Sequence, residues 1–200
     1  MDLDNHGLND HRWISGRGRM IYKTDRLMIS PLTKEDLIGN YLNWRNDTEV
    51  TKFNRHGLFP QTQKGIEDYG DSLGNDKSQI VWGIFIEHKG TSPFLDYHIG
   101  NMSLRRIDLI NRSAELMVVI GEKEYWGKGV CTEAGKLVLA HGFKRLGLER
   151  IWAGTASINE GMNRVAIKLG MVHEGTFRRG TFINGCFHDI NCYSILKDEA

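Results

Sequence analysis

Apolar residues fall on two different periods along this chain, and the switches between them sketch the order of its elements. Over residues 26–32 they alternate with polar ones, as in a strand with one face buried. Thr33 and Asp36 are then spaced like a capping box, with Asp where Glu is usual, and predict a helix running through Trp44. A second helix is expected over 61–73, and a strand over 80–88 that turns at Lys89 and Gly90. Residues 97–106 and 112–120 read as adjacent strands joined by a polar turn around 108–111. The helical period returns over 132–145 and ends near Gly147. A strand over 150–156 follows, then a helix opened by Asn159 and closed by Gly170. Strands over 172–182 and 186–196 finish the chain, joined by an Asn184-Gly185 hairpin turn.

Helices sit between strands only in the middle of this order, and antiparallel pairs lie at both ends. That implies an α+β class, with a mixed, mainly antiparallel sheet and helices packed on it. Residues 1–19 are rich in Asp, Asn, His, Gly and Arg and carry neither period, so they are expected to form a disordered lead or a translated upstream segment. In the second case Met20 is the expected start, and 20–200 are expected to form one domain.

Charge and cysteine content remove several function classes. The 26 Lys and Arg against 25 Asp and Glu are interspersed and leave a formal net charge of +1, so the field that draws a protein to nucleic acid is missing. No apolar stretch approaches the ~20 residues that span a bilayer, and there is no signal-peptide hydrophobic region. The expectation is a cytoplasmic protein, monomer or homodimer, without nucleic-acid or membrane partners. Cys131, Cys186 and Cys192 are odd in number and lack CxxC spacing, which argues against a disulfide framework and a zinc site, and no metal is expected. Cys131 at a predicted helix start is either a reactive thiolate or a small residue that lets a ligand come close.

The segment most informative about chemistry is Trp126-Gly127-Lys128-Gly129-Val130-Cys131-Thr132, between the strand 115–120 and the helix 132–145. Two glycines permit a tight turn, and unpaired N–H groups of the turn and the first helical residues can converge on an anion such as a pyrophosphate. The spacing is neither that of a dinucleotide fold nor that of a P-loop. It resembles the coenzyme A loop of the GNAT acetyltransferases, Gln/Arg-x-x-Gly-x-Gly/Ala, with departures at Trp126 and Cys131. The stretch from Asn159 to Met171 resembles the same superfamily's Asn-x-x-Ala/Ser-x-x-Leu-Tyr-x-Lys-x-Gly-Phe helix. From Thr24-Asp25-Arg26-Leu27 to Asn184-Gly185-Cys186-Phe187-His188-Asp189, the chain is similar to the branch containing ribosomal-protein N-terminal acetyltransferases and amino-sugar N-acetyltransferases.

The resemblance implies a sheet whose two central strands splay into a V that takes up acetyl-CoA. The 126–132 loop would hold its pyrophosphate, Lys128 adding charge. The main chain of Val119, Ile120 and Gly121 would pair with pantetheine, and Asn159 would hydrogen-bond the cofactor. The family's usual acids, Tyr and Ser, fall here at Ala166 and Met162. Asn163 is the candidate for steadying the thiolate, and Glu115 for accepting the amine proton. Trp44, Arg45, His98, His188 and Asp189 are acceptor-site candidates. Core packing is the competing role for Trp44, and pairing with a neighbour for Asp189. The function implied is acetyl transfer to a primary amine, with a nucleotide-linked amino sugar favoured and a protein N-terminus second. A coenzyme A-binding module without catalysis is the alternative of another class.

Overall fold

The computed structural model describes residues 22–86 and 97–200. The lead over 1–19, Met20 and the turn at Lys89 and Gly90 lie outside them, as does the end of the strand predicted to residue 88. Eight strands are described: β1 (Tyr22–Lys23), β2 (Leu27–Pro31), β3 (Ile80–Ile86), β4 (Tyr97–Asp108), β5 (Ser113–Ile120), β6 (Arg150–Ala156), β7 (Val172–Ile183) and β8 (Cys186–Leu196). They form one sheet in the order β1-β2-β3-β4-β5-β6-β8-β7. Every neighbouring pair is antiparallel except β5 and β6, which run parallel because a helix carries the chain back between them. This is the expected α+β class.

Helices cover both faces. α3 (Val130–Lys144) and α4 (Glu160–Lys168) pack on one. α3 presents Val130, Ala134, Leu137 and Val138 on one stripe, against Ile29, Ile84, Met102, Leu104, Leu116 and Ile151. α1 (Tyr41–Asn46) and α2 (Gln63–Ser72) cover the other face. There Leu32, Leu37, Tyr41, Trp44, Val50 and Ile66 form a second core, with Val81 and Val119 packed against it. Each fully buried Leu or Ile of such clusters contributes about 1.5–3 kcal/mol.

The helix predicted from Thr33 through Trp44 is two short pieces. The capping box is present, with Asp36 Oδ2 accepting from the Thr33 N–H at 2.9 Å, but it opens only a 3-10 turn over Lys34–Leu37. Gly39 at φ +101° then redirects the chain before α1 begins. The final hairpin is as predicted, with Asn184 at φ 48° and Gly185 at φ 82°, both left-handed as a type I′ turn requires.

Candidate functional site

The sheet opens at one seam. β5 and β6 pair only from Ser113 with Arg150 to Glu115 with Trp152. Beyond that, residues 116–120 of β5 ladder with β4 alone, and residues 153–156 of β6 with β8 alone. Two facing edges of main chain therefore border a V-shaped gap, against which an extended amide-bearing ligand can add as a strand. The Gly121 N–H donates to Ile99 O across the β4–β5 ladder at 2.9 Å. By alternation Val119 turns its main-chain groups toward β4, and those of Val118 and Ile120 point into the gap. Of the expected stretch, Val119 and Gly121 thus ladder with β4, while Ile120, and Val118 before it, turn their N–H groups toward the gap.

The glycine loop stands at the wide end of this gap. Gly127 and Gly129 hold φ +71° and +79°, and Gly129 is the left-handed N-cap of α3. The Glu133 N–H reaches Gly129 O at 3.1 Å, but the N–H groups of residues 127–132 find no acceptor among the described residues. Amides without a close partner at a helix N-terminus form a cradle of positive potential suited to a pyrophosphate. Arg26 braces the loop from behind, Nη2 donating to Lys128 O at 2.9 Å and Nε to Glu133 Oε2 at 2.6 Å, while the Thr24 hydroxyl takes the other Glu133 oxygen. Lys128 extends its ammonium over the Tyr125 ring at 5.5 Å. Trp126 ties the loop to β5, its indole N–H donating to Ile120 O at 2.9 Å, instead of offering a ligand the polar side chain of Gln/Arg-type loops. Burial pushes the Cys131 thiol up to about 11 despite the helix start, which disfavours the thiolate form.

Glu115 stands at the apex of the gap, on the face opposite α3. It is the last β5 residue paired with β6, with Trp152 beside it and Arg105 across from it on β4. Its side chain is 15% exposed and its Oε2 lies 3.5 Å from Arg106 Nη1. Burial raises its carboxyl above the ordinary range, with Arg106 and Arg105 opposing the rise. A largely enclosed carboxylate with an elevated pKa, next to a cleft, is suited to accept a proton.

Four other candidates have structural duties. Trp44 is 5% exposed and lies on Gly121, where a Cβ would stand 1.9 Å from its indole. Its N–H donates to Glu122 Oε1 at 3.0 Å, so Trp44 packs and does not face an acceptor. His98 is enclosed by Tyr41, Trp44 and Phe85, with Nδ1 2.9 Å from Asp36 O and Nε2 2.8 Å from Asn101 Oδ1. Asn163 points Nδ2 at the carbonyls of Ala156, Ser157 and Asn159 and accepts from Asn191 and the Tyr193 hydroxyl. It has no donor left for a thiolate and instead clamps α4 to β6 and β8. Asp189 accepts from the Arg179 N–H at 2.8 Å, which pins the β7 bulge.

Asn159 is the N-cap of α4 through Oδ1, which accepts from the Met162 N–H at 3.1 Å. Its amide NH2 donates to no acceptor among the described residues. His188 sits opposite Thr181 on the hairpin, beyond the end of β6. Arg45 lies against Tyr41, its guanidinium 6.0 Å from the ring. Arg105, which the sequence alone did not single out, lies opposite Glu115 in the β4–β5 register.

Residues 26–172 match the family model described as an acetyltransferase (GNAT) domain. The chain is 33% identical over 182 residues to the uncharacterized N-acetyltransferase YoaA of Bacillus subtilis (strain 168), covering 88% of this chain and 97% of that protein. Among solved structures, it resembles spermidine N-acetyltransferase from Vibrio cholerae in complex with CoA and spermine, at TM-score 0.75 and 23% identity over 88% of this chain and 98% of that one. It also resembles RimL, a ribosomal L7/L12 alpha-N-protein acetyltransferase in complex with coenzyme A, at TM-score 0.77 and 17% identity over 88% and 97%. At those identities the two structures establish the shared fold.

Proposed function

This chain belongs to the GNAT acetyltransferase family, and from that premise we propose that it transfers acetyl from acetyl-CoA to the primary amine of a small acceptor. The observation that carries the reading is that one gap joins three things. A helix N-terminus with amides that lack a close partner lies at its wide end, an open strand edge runs along it, and a largely buried carboxylate stands at its apex.

Coenzyme A brings the activated acyl group when bound. The amides of residues 127–132 take its pyrophosphate, with Lys128 adding a screened charge and Asn159 Nδ2 a further donor. Val118 and Ile120 align the pantetheine arm and so fix the thioester near Glu115. The acceptor enters from the face covered by α1 and α2, opposite the helix that holds the phosphates. Glu115 withdraws the proton from the incoming ammonium or from the nitrogen as it adds to the carbonyl. The departing thiolate would receive its proton from the solvent or from the attacking nitrogen as that becomes the amide, since Ala166 and Met162 stand where relatives carry an acid.

The acceptor reading favoured here is an amino sugar linked to a nucleotide or another phosphate. Arg45, on the acceptor side, supports it, and Trp44 no longer contributes. The test is thiol release from acetyl-CoA across a panel of amino sugars, polyamines and peptide N-termini. Turnover of a small amine is expected, whereas acetylation of peptides alone would favour the protein N-terminus. Acetyl-CoA binding without turnover of any amine would favour the non-catalytic module.

A further inference from the structure

Arg45 and Arg105 stand apart among the described arginines in burying a donor that no acceptor meets. Arg26, Arg112 and Arg150 are paired with carboxylates, and Arg55, Arg178 and Arg179 are exposed to water. The Nε atoms of Arg45 and Arg105 are buried and have no hydrogen-bond partner, and neither guanidinium makes an ion pair among the described residues. Burying guanidinium N–H groups without an acceptor is costly, and a folded chain tolerates it where a ligand completes the set. The two come from different elements, α1 and β4, yet converge on the face that carries Glu115.

We propose that Arg45 and Arg105 form an oxyanion subsite, so that the amine acetylated by this protein belongs to a small molecule that also carries a phosphate or carboxylate. The proposal rests on the acetyl-transfer reading above and narrows its acceptor class. Planar guanidinium forks match such oxyanions in two-point contacts, which fixes a ligand's orientation as well as its position. Cross-strand neighbours place their Cβ atoms about 5 Å apart. An anion held by Arg105 therefore leaves an amine within a short molecule's reach of Glu115. The surroundings agree: His56 is pushed down to about 4 by burial and by the charges of Arg45 and Arg105, so the region is already crowded with positive charge. A polyamine is the wrong guest for such a site.

Matched acceptors give the test. Thiol release from acetyl-CoA is compared for glucosamine 6-phosphate against glucosamine, for L-amino acids against their C-terminal amides, and for spermidine. The expected result is that the anionic member of one pair has a kcat/KM at least tenfold above its neutral partner, and which pair responds tells phosphate from carboxylate. In Arg45→Gln and Arg105→Gln that ratio falls toward one, mainly through KM. Both variants should melt no lower than wild type, since each removes an unpaired buried donor. If one fails to fold, the wild-type pairs still decide. Spermidine or the neutral partners turning over best, or an unchanged ratio in folded variants, overturns the proposal.

If no amine is turned over, the transfer reading has failed and the subsite is read separately. Inorganic phosphate is then titrated into protein saturated with coenzyme A, which keeps the loop occupied. Binding that is lost in Arg45→Gln/Arg105→Gln supports the subsite, and no binding to wild type overturns it.

Discussion

Glu115 illustrates how position and environment combine at a single residue. Because burial raises its pKa, the base form is depleted as pH falls through the elevated value, and kcat/KM of the wild type should decline on that acid limb. Glu115→Gln should lose about 10²–10⁴-fold near neutral pH, the range typical of a general base. The deficit should shrink in alkali, where the acceptor amine is already neutral. A pH–rate profile identical to wild type would remove Glu115 from the reaction. A second residue-level test is structural. Gly121→Ala puts a methyl group into the Trp44 indole and should cost about 1–3 kcal/mol in denaturant unfolding, as overpacking does. Unchanged stability would mean that Trp44 is free to move. The sequence could name Glu115 from its place at a strand start, but it could not show Arg105, whose meaning depends on a partner strand's register. Nor could composition reveal that Asn163 spends its donors on three carbonyls.

At the scale of elements, the glycine loop and α3 act together. Gly129 sits at φ +79°, a conformation that costs an L-residue roughly 1–2 kcal/mol and a β-branched one more. Gly129→Val should therefore shift the first turn of α3 and weaken acetyl-CoA binding at least tenfold in a calorimetric titration, with the far-UV spectrum unchanged. Full affinity in the folded variant would show that the amides of 127–132 are not the pyrophosphate site. Strand alternation and the Asn-Gly hairpin were legible because they are local signals. The interruption at Gly39 was not, because the apolar positions from Leu37 to Trp44 keep a helical rhythm across the break and tertiary packing of Tyr41 and Trp44 decides the outcome. The splay of β5 from β6 was expected from family resemblance alone, since nothing local encodes where two parallel strands stop pairing.

For the whole molecule, folding couples to protonation through histidines held neutral. His56 and His141 are both pushed down to about 4, chiefly by burial, and His141 Nδ1 is 2.7 Å from the Tyr22 hydroxyl. The unfolded chain binds these protons more readily. The stability they permit is complete above the free-imidazole value of 6.5 and declines as pH falls toward 4. The melting temperature should drop across that window, and His141→Gln should flatten the slope. A melt insensitive to pH between 6.5 and 4 would contradict neutral burial. In the proposed enzyme one gap in the sheet receives acetyl-CoA, its phosphates on the α3 N-terminus and its arm along β5. Amide hydrogen exchange with and without acetyl-CoA tests this most directly. Slowed exchange at Val118 and Ile120 together with residues 127–132 is the predicted result, and binding that leaves those amides unprotected would contradict it.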